Sequence, residues 1–199
     1  TGVRGEDLGA NGTVATFQGD MAYNGSTAQL LLLRQATHAR GALRNNTWIA
    51  AGQPWPGGHV QYCFAQDVTA RVRHIFVAAT HQLTRALPCL TFEDVGWRRG
   101  LSDTPEDQQV CNQSPAIFVT SDPRAGCFSY VGVTSGFSGR PSQRLQLHDP
   151  GCTLIGTTVH ELGHALGMAH EQERPDRDRH VIVHWDNIQA GVASNFEVD

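Results

Sequence analysis

The order of elements along the chain predicts an α+β domain. Three observations carry that reading: an apolar stripe at helical spacing in the first half, a set of short strand-like runs in the middle, and a second helical stretch near the C-terminal end. The first helix rests on Val68, Val72, Ile75, Phe76, Ala79, Leu83 and Leu87, with Asp67 or Thr69 as candidate caps and Pro88 as the stop. The strand candidates are His59 to Phe64, Leu90 to Phe92, Ala116 to Thr120, Phe128 to Val133 and Arg144 to His148. The second helix runs from about Thr153 to Leu166. Ahead of these, residues 1 to about 25 are rich in Gly, Asn and Thr and predict an extended or irregular segment, followed by a short helix over Gln29 to Arg44. Asn45 to Gly58 and Trp97 to Gln109 are predicted as loops, the first from its Gly and Pro content and the second from its polarity.

Composition bounds the function. The chain has 199 residues, 40% of them hydrophobic, which is enough for one sizeable core or two lobes around a cleft. Charged residues are 17% and the net charge is −4, with Lys and Arg few and scattered, so no nucleic-acid footprint is present. No apolar run approaches the length of a membrane span, and Leu30 to Leu33 is far too short for one. The five cysteines, Cys63, Cys89, Cys111, Cys127 and Cys152, contain no close C-x-x-C pair, which disfavours a cysteine-only zinc site and suits disulfides in an oxidising compartment. An odd count leaves one thiol free or paired outside the chain. Sequons at Asn11, Asn24, Asn45 and Asn112 agree with a secreted glycoprotein. No signal-peptide pattern is visible, and with Thr1 in place of Met a leader is expected to be already absent.

The chemistry sits in the second helix. Val159-His160-Glu161-Leu162-Gly163-His164 contains H-E-x-x-H, and residues four apart share a helical face, so His160 and His164 direct two imidazoles to one ion. Glu161 lies beside them, within reach of a water on that ion. Gly167 takes a positive φ cheaply, which lets the helix end and the chain turn back to bring His170 in as a third ligand. Three neutral imidazoles leave a coordination position open, the catalytic rather than the structural arrangement of zinc. H-E-x-x-H alone arises in roughly 2% of shuffled chains of this composition, but the added Gly and His reduce that to about one in ten thousand.

The run from His160 to Asp178, H-E-L-G-H-A-L-G-M-A-H-E-Q-E-R-P-D-R-D, resembles the signature of the astacin family within the metzincins. Trp55-Pro56-Gly57-Gly58, Gly126-Cys127-Phe128-Ser129-Tyr130-Val131-Gly132, Gly151-Cys152 and Ser194-Asn195-Phe196-Glu197 extend the resemblance over roughly Asn45 to Asp199. It implies a metzincin-like N-terminal lobe, with a short mixed sheet and two long helices, preceded by a mostly irregular pro-segment. The implied activity is that of a zinc-dependent endopeptidase, with one Zn2+ per chain on His160, His164 and His170 and with Glu161 as the catalytic base. Cys127 and Cys152 should form a disulfide, and Cys89 resembles a cysteine whose partner lies near the family's C-terminus. Cys63 and Cys111 depart from the basic pattern and are expected to pair with each other. Glu171 matches the acidic residue that receives the new N-terminus after processing, and Arg144 to His148 is expected as the edge strand that pairs with extended substrate.

Phe17-Gln18-Gly19-Asp20-Met21 resembles the family's F-x-G-D pro-segment motif, in which the aspartate takes the zinc position that water needs. The chain is thus expected to be a latent zymogen, with residues 1–44 as pro-segment, residues 45–199 as catalytic domain, and Asp20 as the switch ligand. A trypsin-like protease cutting near Arg44 would release it; a protein or peptide is the substrate. The family's methionine turn and its nearby tyrosine are expected after residue 199, which leaves the C-terminal lobe mostly outside this chain; Met168 falls inside the zinc signature, and Tyr62 and Tyr130 do not fit that motif. The competing reading is a catalytically silent, zinc-stabilised secreted binding module, against which the intact Glu161 argues.

Overall fold

The computed structural model describes residues 54–99, 109–135 and 142–198, together with the backbone of five short strands in the N-terminal part. Those five are β1 (Val3–Arg4), β2 (Ala15–Phe17), β3 (Met21–Tyr23), β4 (Ala42–Arg44) and β5 (Thr47–Ile49). They are followed by β6 (His59–Phe64), α1 (Ala70–Ala86), β7 (Thr91–Asp94), β8 (Trp97–Arg99), β9 (Gln109–Cys111), β10 (Ile117–Thr120), β11 (Cys127–Tyr130), β12 (Gln143–Leu147) and α2 (Ile155–Ala165). The α+β class read from the sequence is the class observed.

One mixed sheet of eight strands has the order β1-β2-β3-β11-β12-β10-β6-β7. Strands β7, β6, β10 and β12 run parallel, and β11 runs antiparallel to β12. Strand β3 lies parallel to β11, with Met21 opposite Ser129. Helix α1 packs on α2, and α2 packs against β11 and β12.

The core forms where strand alternation and helical stripe meet. Val60, Tyr62 and Phe64 share one face of β6, and Val72, Phe76 and Ala79 share one face of α1; all are buried. Tyr62, Phe64 and Phe76 pack as an aromatic trio with centroids 4.9–5.5 Å apart. Of the two candidate caps for α1, Thr69 is the one used: its side chain accepts from Val72 N at 3.3 Å. The helix ends at Ala86, two residues before Pro88. The opposite face of β6 carries Cys63, which is disulfide-bonded to Cys111 of β9.

Several expectations change. Arg144 to His148 is not an edge strand: β12 is internal, Leu145 lying opposite both Val119 and Ser129. The resemblance implied an edge, but the strand's two glutamines are buried with hydrogen bonds inside the domain. Gln146 donates to Asp122 O at 2.7 Å and pairs with Thr120 Oγ1 at 2.6 Å, and Gln143 donates to Gly132 O at 2.8 Å while accepting from Thr134 N at 2.8 Å. The strand at the outer side of this group is β11, which carries β3 on its far edge. The loop expected over Trp97 to Gln109 begins and ends in strand, since β8 and β9 pair antiparallel. The helix expected over Gln29 to Arg44 ends instead in β4, which pairs with β5 inside the expected Asn45 to Gly58 loop; the remainder of that helix lies outside the described residues. The early segment, expected to be extended or irregular, includes the short extended strands β1, β2 and β3.

Candidate metal centre and active-site cleft

Helix α2 presents His160 at the cleft surface, while Glu161 and His164 are buried at 1% and 2% exposure. Leu162 and Ala165 face the core, which fixes the rotation of the helix and thus the direction of its histidines. The helix ends in a Schellman arrangement: Met168 N donates to Gly163 O at 3.0 Å and Gly167 N to His164 O at 2.8 Å. Gly167 has φ +101° there, a conformation that a side chain disfavours. The chain reverses at this point and returns His170, also buried, toward the first two rings.

The three imidazoles converge, with centroids 4.4, 4.8 and 5.2 Å apart. One nitrogen from each lies within 4.8 Å of the others, and Nε2 of His160 and Nε2 of His164 are 3.0 Å apart. Two nitrogens bound tetrahedrally to one zinc ion would be about 3.3 Å apart, given Zn–N bonds of about 2.0–2.1 Å. The donor set therefore fits zinc: neutral nitrogen ligands, three in number, on a face that opens to a cleft. His164 Nδ1 lies 2.9 Å from Met168 O, an arrangement that keeps Nε2 for the ion.

The cleft has a volume of about 470 Å3 and is lined by Cys127, Gly156, Thr157, His160 and Glu161. The Cys127–Cys152 disulfide ties β11 to the segment that leads into α2, and Gly132 N donates to His164 O at 2.9 Å. The outer strand and the ligand helix are thereby held together as one frame. Behind the site, Trp55 Nε1 donates to Ala165 O at 2.8 Å.

The turn after His170 is organised by charge. Arg174 makes a two-pronged contact to Asp176, at 2.9 and 3.1 Å, and a bond to Glu171 Oε2 at 2.8 Å. These carboxylates push the Arg174 guanidinium above its ordinary value, and Arg174 holds the Asp176 carboxyl below the usual range. Arg177 donates to Gln172 O at 2.8 Å and to Phe196 O, joining this turn to the 193–196 segment.

The sequence reading singled out His160, Glu161, His164 and His170, and the structure brings all four to one place. Glu171 stands on the adjoining surface. Asp20 lies outside the described residues. Cys89 is exposed and not in a disulfide. Glu173 was not anticipated, although it sits three residues after His170: it is 1% exposed, and its Oε2 is 3.5 Å from His170 Nδ1.

The profile of the astacin family of peptidases matches residues 48–199. This chain belongs to the astacin family. Zinc metalloproteinase nas-15 of Caenorhabditis elegans is 32% identical over 188 residues, covering 91% of this chain and 28% of that protein. Protein SpAN of Strongylocentrotus purpuratus is 46% identical over 182 residues, covering 90% of this chain and 26% of that protein. Among solved structures, high choriolytic enzyme 1, a hatching enzyme zinc-protease from Oryzias latipes, aligns with TM-score 0.53 and 27% identity, covering 74% of this chain and 64% of that one. This astacin-family chain spans between about an eighth and about a quarter of the length of the curated relatives it matches. Among its described residues, no helix is long and apolar enough to cross a membrane.

Proposed function

We propose that this chain is the zinc-binding part of a secreted endopeptidase that hydrolyses internal peptide bonds of proteins, present here with its pro-segment. The carrying observation is the convergence of His160, His164 and His170, with His160 and Glu161 lining a cleft that also reaches Cys127 of strand β11. One zinc ion held by the three imidazoles would polarise the scissile carbonyl and lower the pKa of a bound water to about 7. Glu161, one residue along the helix from His160, takes the proton of the attacking water on its carboxylate and passes it to the leaving amine. Strand β11 offers its outer edge to an extended peptide, whose backbone groups it would pair with in place of β3.

The same geometry supports a latent form. Strand β3 occupies the edge that substrate would use, and Asp20 precedes Met21 of that strand directly. In this reading Asp20 is the switch ligand at the zinc, and a trypsin-like cut near Arg44 frees the cleft. Glu171 would then receive the new N-terminal ammonium, sharing its carboxylate with Arg174. The two disulfides and the exposed sequon residue Asn112 support a secreted, glycosylated protein.

The deciding experiment is peptidase assay of a full-length protein carrying this chain, before and after trypsin. Activity that appears after trypsin, is removed by a chelator and returns with zinc supports the reading. Glu161→Gln should keep the zinc and lose turnover. Zinc-loaded, trypsin-treated protein with no hydrolysis of any protein substrate would leave a zinc-stabilised binding module in its place.

A further inference from the structure

The imidazoles of His164 and His170 are both supported from behind, through chemically different groups. His164 Nδ1 faces a backbone carbonyl, Met168 O, at 2.9 Å. His170 Nδ1 faces a carboxylate, Glu173 Oε2, at 3.5 Å. Glu173 belongs to the short turn Glu171–Glu173, and its backbone N donates to His170 O at 3.1 Å, which puts residues 170 and 173 on the same side of the turn.

The burial of Glu173 is the informative part. Its side chain is 2% exposed, and that of His170 is 7% exposed. Removing a carboxylate from water costs several kcal/mol unless a donor or a positive charge compensates. A surface turn with no task for an acid would place a neutral residue here, or let the carboxylate point outward as Glu171 does. An imidazole that donates Nδ1–H to a carboxylate keeps Nε2 as its ligand atom, and the carboxylate raises the basicity of the ring.

We propose that Glu173 is a positioning residue for the third zinc ligand. Its carboxylate holds His170 through Nδ1, leaves Nε2 turned toward His160 and His164, and offsets part of the charge of the ion. The assignment rests on the zinc reading given above and adds to it an acid outside the H-E-x-x-H pattern.

The test uses the chain with its disulfides formed. Zinc affinity is measured by competition with a chromophoric chelator for the unsubstituted chain, Glu173→Gln and Glu173→Asp. Cobalt(II) is then substituted and its visible absorption recorded. Glu173→Gln should bind zinc roughly 10–100-fold more weakly and alter the cobalt spectrum, while Glu173→Asp, which keeps the charge, should recover part of the affinity. Equal zinc affinity and an unchanged cobalt spectrum in Glu173→Gln would overturn the assignment. Should Glu173→Gln fail to fold, the 15N shifts of His170 in the zinc-loaded unsubstituted chain decide: a protonated Nδ1 supports the role, and Nδ1 ligation refutes it. An unsubstituted chain that binds no zinc defeats the metal reading itself, a result distinct from a silent substitution.

Discussion

Trp55 Nε1 donates to Ala165 O at 2.8 Å, a buried hydrogen bond between residues 110 positions apart. It joins the segment ahead of β6 to the last turn of the ligand helix, where carbonyls lack partners within the helix. Trp55→Phe keeps most of the apolar volume but leaves that buried carbonyl without its donor, which should cost about 1–3 kcal/mol. The measurement is the urea midpoint of the oxidised chain. A midpoint equal to that of the unsubstituted chain would show that the bond contributes nothing net.

Gly167 turns the chain between the second and third histidines at φ +101°. An alanine held in that conformation pays roughly 1–3 kcal/mol of backbone strain, or shifts the turn and carries His170 away. Shifting the turn relieves that strain, so Gly167→Ala should weaken zinc binding in chelator competition by at least tenfold. Retained affinity would mean that His170 does not depend on this turn.

The metal centre was legible because it is local. H-E-x-x-H places two ligands by helical repeat alone, and the glycine that returns the third lies within the same stretch of chain. The sheet was less legible because strand order is set by contacts distant in sequence. The resemblance implied that Arg144 to His148 is an edge, yet β12 lies inside the sheet between β10 and β11, with the amides of Gln143 and Gln146 bonded to Gly132 O, Thr134 N, Thr120 Oγ1 and Asp122 O. The β8–β9 hairpin was hidden for a related reason: its strands are three residues each, and β9 is fixed by the disulfide from Cys111 to Cys63. Glu173 escaped notice because its meaning depends on burial, and it stands among Glu171, Arg174, Asp176 and Arg177 in a charged, surface-like stretch of sequence.

The two disulfides should act on different properties. Cys63–Cys111 closes 48 residues across β6 and β9, on the face away from the cleft, while Cys127–Cys152 closes 25 residues and binds β11 to the approach of α2. By loop-closure entropy each contributes about 3–4 kcal/mol, the larger loop slightly more. Replacing Cys63 and Cys111 by serine should lower thermal stability and leave zinc affinity of the folded chain unchanged. The same change at Cys127 and Cys152 should reduce both. Zinc affinity unaffected in the second pair would separate β11 from the metal centre.

Arg174 grips Asp176 with two hydrogen bonds and depresses its pKa, so the acid arm of the stability curve carries a signature of this pair. An aspartate is ordinarily half protonated near pH 3.9. Because the folded value lies lower, the unfolded chain binds the proton more readily on the way down. The stabilisation is therefore complete above about pH 3.9 and is lost as pH falls through the folded value. Carbon NMR titration of Asp176 should give a midpoint below that of an unstructured aspartate, and Asp176→Asn should flatten the loss of stability on acidification. A midpoint at or above the ordinary value would show that Arg174 is held by Glu171 alone in solution.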